Sequence, residues 1–238
     1  MSALGDLSFS SPAAQANVRA LIFDVEGTLV DCVCQTLESW RETLADFGLT
    51  FSVEQLHPYL GMDGGEMLDF LLRDSKARDL KQEILSEQGV RYRKKFLPTV
   101  AAFPGIRSLF GSVRELGWRI GLATTCQPDE LQHYGTIVDA FDLVEAVACG
   151  ADVKRGKPDS SLYAVALERL GTDTRQALAV GDTPYDAVAA AKAGLAGTIG
   201  VLTGGFSSTA LRAAGCGLVV EQAGDLLTAM GVGDLYAG

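Results

Sequence analysis

A chain of 238 residues, 47% hydrophobic and 21% charged, is long enough to bury a substantial core without disulfide or metal staples. Its formal net charge of −10 repels a phosphate backbone on average and argues against nucleic-acid binding. Its five cysteines show no CxxC spacing, and Cys32 and Cys34 lack the Cys/His partners that a zinc site needs, so reduced thiols in a cytoplasmic protein are expected.

Residues 1–18 lack a basic segment followed by an apolar one, so they read as a flexible tail rather than a signal peptide. No uncharged apolar run nears the roughly 18 residues of a membrane span. Residues 19–24, Arg-Ala-Leu-Ile-Phe-Asp, have the continuous apolar middle of a strand buried on both faces. From Cys34 the period changes, with Leu37, Trp40, Leu44 and Phe47 at helical spacing and Gly48 as the C-cap. The pattern then predicts a short helix from Ser52, a glycine-rich loop over 61–65, a helix over 66–73 and one long exposed helix over the charged stretch 76–97. An all-helical insert over 34–100 is the expectation, with Arg91, Arg93, Lys94 and Lys95 as a solvated face.

Pro104-Gly105 marks the return to alternating strands and helices. Strands are predicted at 119–124, 143–149, 177–182, 197–203 and 217–220, and helices at 161–171 and 187–194, ending on Gly171 and Gly194. This order argues for an α/β fold with a doubly wound parallel sheet, built from residues 19–33 and 101–238.

Such sheets bind ligands at the carboxyl ends of their strands. Those ends carry Asp24, Thr124 and Asp182, with Glu26 two residues past Asp24 and Lys157 after the weaker strand. Each has an ordinary reading alone: a solvated strand end, a surface lysine, or helix caps and first-turn acids for Asp182 and Asp186. Together at one sheet edge they suit phosphoryl chemistry. A carboxylate can attack phosphorus, gathered carboxylates attract Mg²⁺, and a lysine and a hydroxyl neutralise and hold the phosphoryl group. Gly27 and Gly181 would let main-chain N–H groups approach an anion.

At this point the sequence resembles the haloacid dehalogenase superfamily. Asp-Val-Glu-Gly-Thr-Leu-Val-Asp (24–31) is similar to its first motif, Leu-Ala-Thr-Thr (122–125) to the second, Gly-Lys-Pro-Asp (156–159) to the third and Gly-Asp-Thr-Pro-Tyr-Asp (181–186) to the fourth. The insert resembles the helical cap of the phosphoglycolate phosphatase and β-phosphoglucomutase branch. The resemblance implies a Rossmann-like core and a Mg²⁺-dependent phosphatase of a small phosphorylated metabolite, a monomer or homodimer that works through an aspartyl phosphate. It implies Asp24 as nucleophile; Asp24, Asp182 and the main-chain carbonyl of Glu26 as metal ligands, with Asp186 supporting them; and Thr124, Thr125, Lys157 and Gly27 around the phosphoryl group. Family phosphatases usually carry Asp where this chain has Glu26, so the acid/base arm is one methylene longer.

The loop 60–68 occupies the family's specificity position. Phosphonoacetaldehyde hydrolase has a Schiff-base lysine there and β-phosphoglucomutase an arginine; this chain has neither. Asp63 is the candidate contact to a substrate hydroxyl or amine, against the reading of a solvated loop acid. The competing classes are a phosphonatase or phosphomutase, and a degenerate member that only binds a ligand.

Overall fold

The computed structural model describes residues 17–73 and 76–231. The expected tail therefore lies outside the described residues, except for Asn17 and Val18, and Val18 is packed into the core. The strands are β1 (Ala20–Phe23), β2 (Val30–Asp31), β3 (Ala101–Ala102), β4 (Arg119–Ala123), β5 (Ala146–Ala148), β6 (Ala177–Gly181), β7 (Gly197–Val201) and β8 (Cys216–Val220). Six of them form a parallel sheet in the order β5-β4-β1-β6-β7-β8, while β2 and β3 make a small antiparallel pair.

The apolar run of β1 follows from its central place. Leu21 and Phe23 point to one face, where they meet Phe110, Ile120 and Val180. Ala20 and Ile22 point to the other, against Leu162, Tyr163 and Leu170. With both faces covered, the strand has no solvent side on which polar residues could alternate.

The first helices are α1 (Val33–Asp46), α2 (Val53–Leu56), α3 (Gly64–Leu71) and α4 (Lys81–Arg91). They bury their own cluster, which includes Leu37, Leu44, Leu56, Leu68 and Ile84. Ser52 caps α2 with a reciprocal bond to Gln55, as its position suggests, but the helix is short and passes into a 3-10 turn at His57–Tyr59. Pro58 has no N–H with which to continue the α-helical ladder. Gly64 and Gly65, expected in a loop, open α3 instead because Asp63 accepts the Glu66 N–H and caps it. The expected helix over 76–97 is segmented. It runs through a 3-10 turn at Lys76–Leu80, α4, a π-helical turn at Tyr92–Phe96 and a 3-10 turn at Leu97–Thr99. It is not wholly exposed either, since Ile84 and Tyr92 are buried. The basic face there is paired: Arg91 and Lys95 reach Glu42, and Arg93 reaches Asp129 and Glu130.

The remaining helices are α5 (Ile106–Glu115), α6 (Pro128–Val138), α7 (Ser161–Leu170), α8 (Pro184–Ala193), α9 (Ser208–Ala214) and α10 (Leu226–Ala229). α5, α6, α9 and α10 have no counterpart among the expected elements. α5 nevertheless carries a plain helical stripe, with Ile106, Leu109, Phe110 and Val113 all buried. α6 opens on a Gln127–Glu130 capping box with Pro128 at its first turn. All five cysteines are free, and among the described residues no helix is long and apolar enough to cross a membrane.

Phe110 is fully buried, and its ring lies 5.0 Å from that of Phe23, centroid to centroid, beneath the strand that presents Asp24. Removing it should leave a cavity directly under the site. Phe110→Ala is expected to lose about 3–5 kcal/mol of stability, read as a lowered urea midpoint at unchanged slope.

Candidate active site

The sheet order brings three strand ends together. β1 lies between β4 and β6, so Asp24, Thr124 and Asp182, each one residue past its strand, share one edge. The ladder extends past β1, with the Asp24 N–H donating to the Val180 carbonyl at 2.8 Å. Thr124 is likewise held by its own N–H on the Ala148 carbonyl at 3.0 Å.

Lys157 reaches this edge from the turn before α7. Its Nζ is 1% exposed, pairs with Asp24 Oδ1 and lies 2.6 Å from Asp186 Oδ1. Burial works to lower the lysine pKa, but Asp186 and Asp24 outweigh it and hold the ammonium charged. Asp186 is fully occupied. Oδ1 also accepts the Tyr163 hydroxyl at 3.2 Å, and Oδ2 accepts the Thr183 N–H at 3.1 Å and its hydroxyl at 2.7 Å. Asp182 is not. Oδ1 accepts the Thr28 hydroxyl at 3.1 Å, but Oδ2 is buried without a partner. Burial, then Asp24 and Asp186, raise the Asp182 carboxyl well above the usual range. Burial also lifts Asp24, against the pull of Lys157, to about 6.

Glu26 stands apart from this cluster. Its Oε1 accepts the Tyr134 hydroxyl at 3.0 Å. Burial, then the nearby Glu130 and Asp24, push its carboxyl up to about 8, so it holds a proton at neutral pH. Asp24 and Glu26 both face a cavity of about 700 Å³ whose other walls include Trp40, Met62, Gln82 and Arg93 from the helical segment. Thr125 and Cys126 line it too.

Several residues sit where the sequence places them but are engaged differently. The Gly27 N–H donates to the Val30 carbonyl at 2.8 Å and is not free for an anion. What Gly27 provides is space: at a φ of +81° it lies so close that a Cβ would overlap Asp182 Oδ2, as would one at Gly204. Gly181 likewise leaves room for the Asp186 carboxylate. Thr124 is fully buried and its Oγ1 accepts the Cys126 N–H at 3.2 Å. Asp63 lines the cavity, with Oδ1 engaged in capping α3 and its N–H donating to the Lys157 carbonyl at 3.0 Å. Thr28, Thr183, Tyr163, Glu130 and Tyr134 were not singled out from the sequence. Thr28 and Thr183 stand inside the quoted motifs, whereas Tyr134 reads as an ordinary buried aromatic of a helix.

Among the described residues no three His, Cys, Asp or Glu side chains converge as a ready-made metal cluster. The fit for a cation is narrower but specific. A buried carboxylate oxygen with no donor, on a group strained by its acidic neighbours, suits a hard divalent ion that takes carboxylate and main-chain oxygens. The donors at hand are Asp182 and Asp24, because the Asp186 oxygens are already spent.

A family model described as haloacid dehalogenase-like hydrolase matches residues 21–200. The chain is 24% identical over 204 residues to a phosphorylated carbohydrates phosphatase of Thermotoga maritima, covering 86% of this chain and 94% of that one. It is 26% identical over 216 residues to the pyrophosphatase PpaX of Bacillus velezensis, covering 90% and 97%. The crystal structure of a hydrolase from Pseudomonas syringae superposes with a TM-score of 0.82 at 26% identity, covering 92% of this chain and 100% of the other. The chain belongs to the haloacid dehalogenase-like hydrolases and is an enzyme of their phosphatase and phosphomutase branch.

Proposed function

We propose that this enzyme is a Mg²⁺-dependent phosphatase of a small phosphate monoester whose alcohol part is uncharged and polyhydroxylated, working through an aspartyl phosphate on Asp24. The observation that carries the reading is the buried Lys157 held between Asp24 and Asp186 beside the unpartnered Asp182 Oδ2. Asp24 is the nucleophile. Lys157 and Thr124 hold the phosphoryl group, and Asp186 positions Lys157 by occupying its second side. When bound, Mg²⁺ neutralises the phosphoryl oxygens and the acids around them. Of the described residues, 19–33 and 101–231 form the core that carries these groups, and 34–73 and 76–100 act as a cap that excludes water.

Glu26 serves as acid and then base. In the first step Asp24 bonds to phosphorus, the ester P–O bond breaks, and its electron pair takes the Glu26 proton, releasing an alcohol. In the second step Glu26 takes a proton from water as that water bonds to phosphorus, the bond from Asp24 to phosphorus breaks, and inorganic phosphate leaves with the Asp24 carboxylate restored. Among the described residues, the two cations that line the cavity already face carboxylates. Lys81 pairs with Asp69 at 2.7 Å, and Arg93 with Asp129 and Glu130 at 3.3 and 3.4 Å. Trp40, Gln82 and Gln88 instead offer an aromatic face and amides to a polyol. The name of the Thermotoga maritima relative points the same way.

The direct test is phosphate release over a panel of phosphate esters with and without Mg²⁺. Release should require the metal and favour sugar and polyol phosphates over esters that carry a carboxylate. Asp24→Asn should abolish it while the variant still folds and melts cooperatively, because the amide is near-isosteric but a poor nucleophile. Turnover near the wild-type level in that variant rules out the covalent route.

Glu26→Gln keeps the main-chain carbonyl but removes proton transfer. General acid–base groups contribute roughly 10²–10⁴-fold. In single turnover the loss should fall in that range on phenyl phosphate and be much smaller on p-nitrophenyl phosphate, whose leaving group scarcely needs a proton.

The raised Glu26 carboxyl also has a stability consequence. The native group keeps its proton up to about 8, whereas its ordinary value is 4.5. Between these values the folded state binds more protons than the unfolded one, so stability falls as pH rises through the window. With chelator present, the melting temperature of Glu26→Gln should gain on wild type progressively from pH 5 to pH 8. A constant difference across that range contradicts the raised value.

A further inference from the structure

A phenol carries one proton, so the direction of a tyrosine chain can be deduced from its ends. Tyr134 and Tyr92 are both buried, and their hydroxyls lie 2.7 Å apart. The Tyr134 hydroxyl also lies 3.0 Å from Glu26 Oε1. An ionised carboxylate only accepts, so Tyr134 must donate to Oε1 in that state, and Tyr92 must then donate to Tyr134. Only this direction survives both halves of an acid/base cycle without either phenol reversing its hydrogen bond. Maintained in the protonated state, it leaves Oε1 as the accepting oxygen and places the proton on Oε2.

We propose that Tyr134 is a positioning residue for the reaction: it anchors Glu26 by Oε1 and thereby assigns Oε2 as the oxygen that exchanges the proton with the leaving group. This rests on the reading of Glu26 as the acid. The need follows from the side chain itself. Glutamate has one more torsion than aspartate, so fixing it costs more rotamer freedom, and an acid must stay within hydrogen-bond reach of the departing oxygen. Tyr134 supplies that restraint from α6, and Tyr92 buttresses it from the π-helical turn where the helical segment returns to the sheet. The proton balance is unchanged from the scheme above: Oε2 gives its proton to the alkoxide as the P–O bond breaks and later takes one from water, while the Tyr134 proton stays on Tyr134.

The test uses the full chain with Mg²⁺ and compares single-turnover rates on phenyl phosphate and p-nitrophenyl phosphate. Tyr134→Phe should slow phenyl phosphate about tenfold, leave p-nitrophenyl phosphate within about twofold, and leave the KM of both unchanged. Added to Glu26→Gln, it should cost nothing more, because a residue that acts through Glu26 has no effect once the proton is gone. Tyr92→Phe keeps the Tyr134 donor in place, so it should show a smaller loss with the same leaving-group dependence; it also carries the test if Tyr134→Phe proves unstable. Equal losses on both esters, or additivity with Glu26→Gln, overturn the proposal while leaving the acid assignment in place. If Glu26→Gln is itself blind to the leaving group, the acid reading falls, and this proposal with it.

Discussion

Lys157 is almost wholly buried. It sits in the core with a carboxylate on either side, and a third carboxylate stands close enough to feel both. Removing an ammonium from water costs several kcal/mol, which good geometry with buried acids can offset. The same lysine is what lets Asp24 and Asp186 lie together, since two ionised acids in a dry site repel strongly. Much of the surrounding chain serves this arrangement. Thr183 and Tyr163 occupy the remaining lone pairs of Asp186, and glycines at 27, 181 and 204 leave the carboxylates the volume they need.

The arrangement is balanced with one group left over. Asp182 keeps an oxygen with no donor in a part of the molecule where an unmet polar atom is costly. The polar interior is therefore complete on one side of Asp24 and incomplete on the other. That asymmetry gives the site a direction: on the lysine side the Asp186 oxygens are met by the chain itself, and on the Asp182 side one oxygen is not.

The parallel sheet could be read from the sequence because a strand covered on both faces has to be a continuous apolar run, and β1 and β6 are such runs. Its strand ends were readable for the same reason, as the first polar residue after each run marks the edge, and this brings Asp24, Thr124 and Asp182 together. The end of the helical segment was read less well. Charge density over 76–97 suggested one exposed helix, but Lys81, Arg91, Arg93 and Lys95 sit in salt bridges, Ile84 and Tyr92 are buried, and the backbone changes pitch where Tyr92 turns inward. The Glu26–Tyr134–Tyr92 chain left no trace in the sequence. Its members are 108 and 42 residues apart, and a tyrosine among apolar helix positions looks the same whether its hydroxyl is idle or engaged. Gly27 shows a subtler limit. Its presence in the motif was evident, but whether a glycine offers its N–H or merely its missing side chain depends on where Val30 and Asp182 lie.

The bond from the Asp63 N–H to the Lys157 carbonyl joins the loop of the helical segment to the main chain of the buried lysine. Enclosure and charge are thereby mechanically linked, because lifting that loop away from the sheet pulls directly on the residue that holds Asp24. A compound small enough to fit under the loop meets a fully assembled acid–lysine pair. Any force that displaced the loop would be passed through this one bond to the Lys157 main chain.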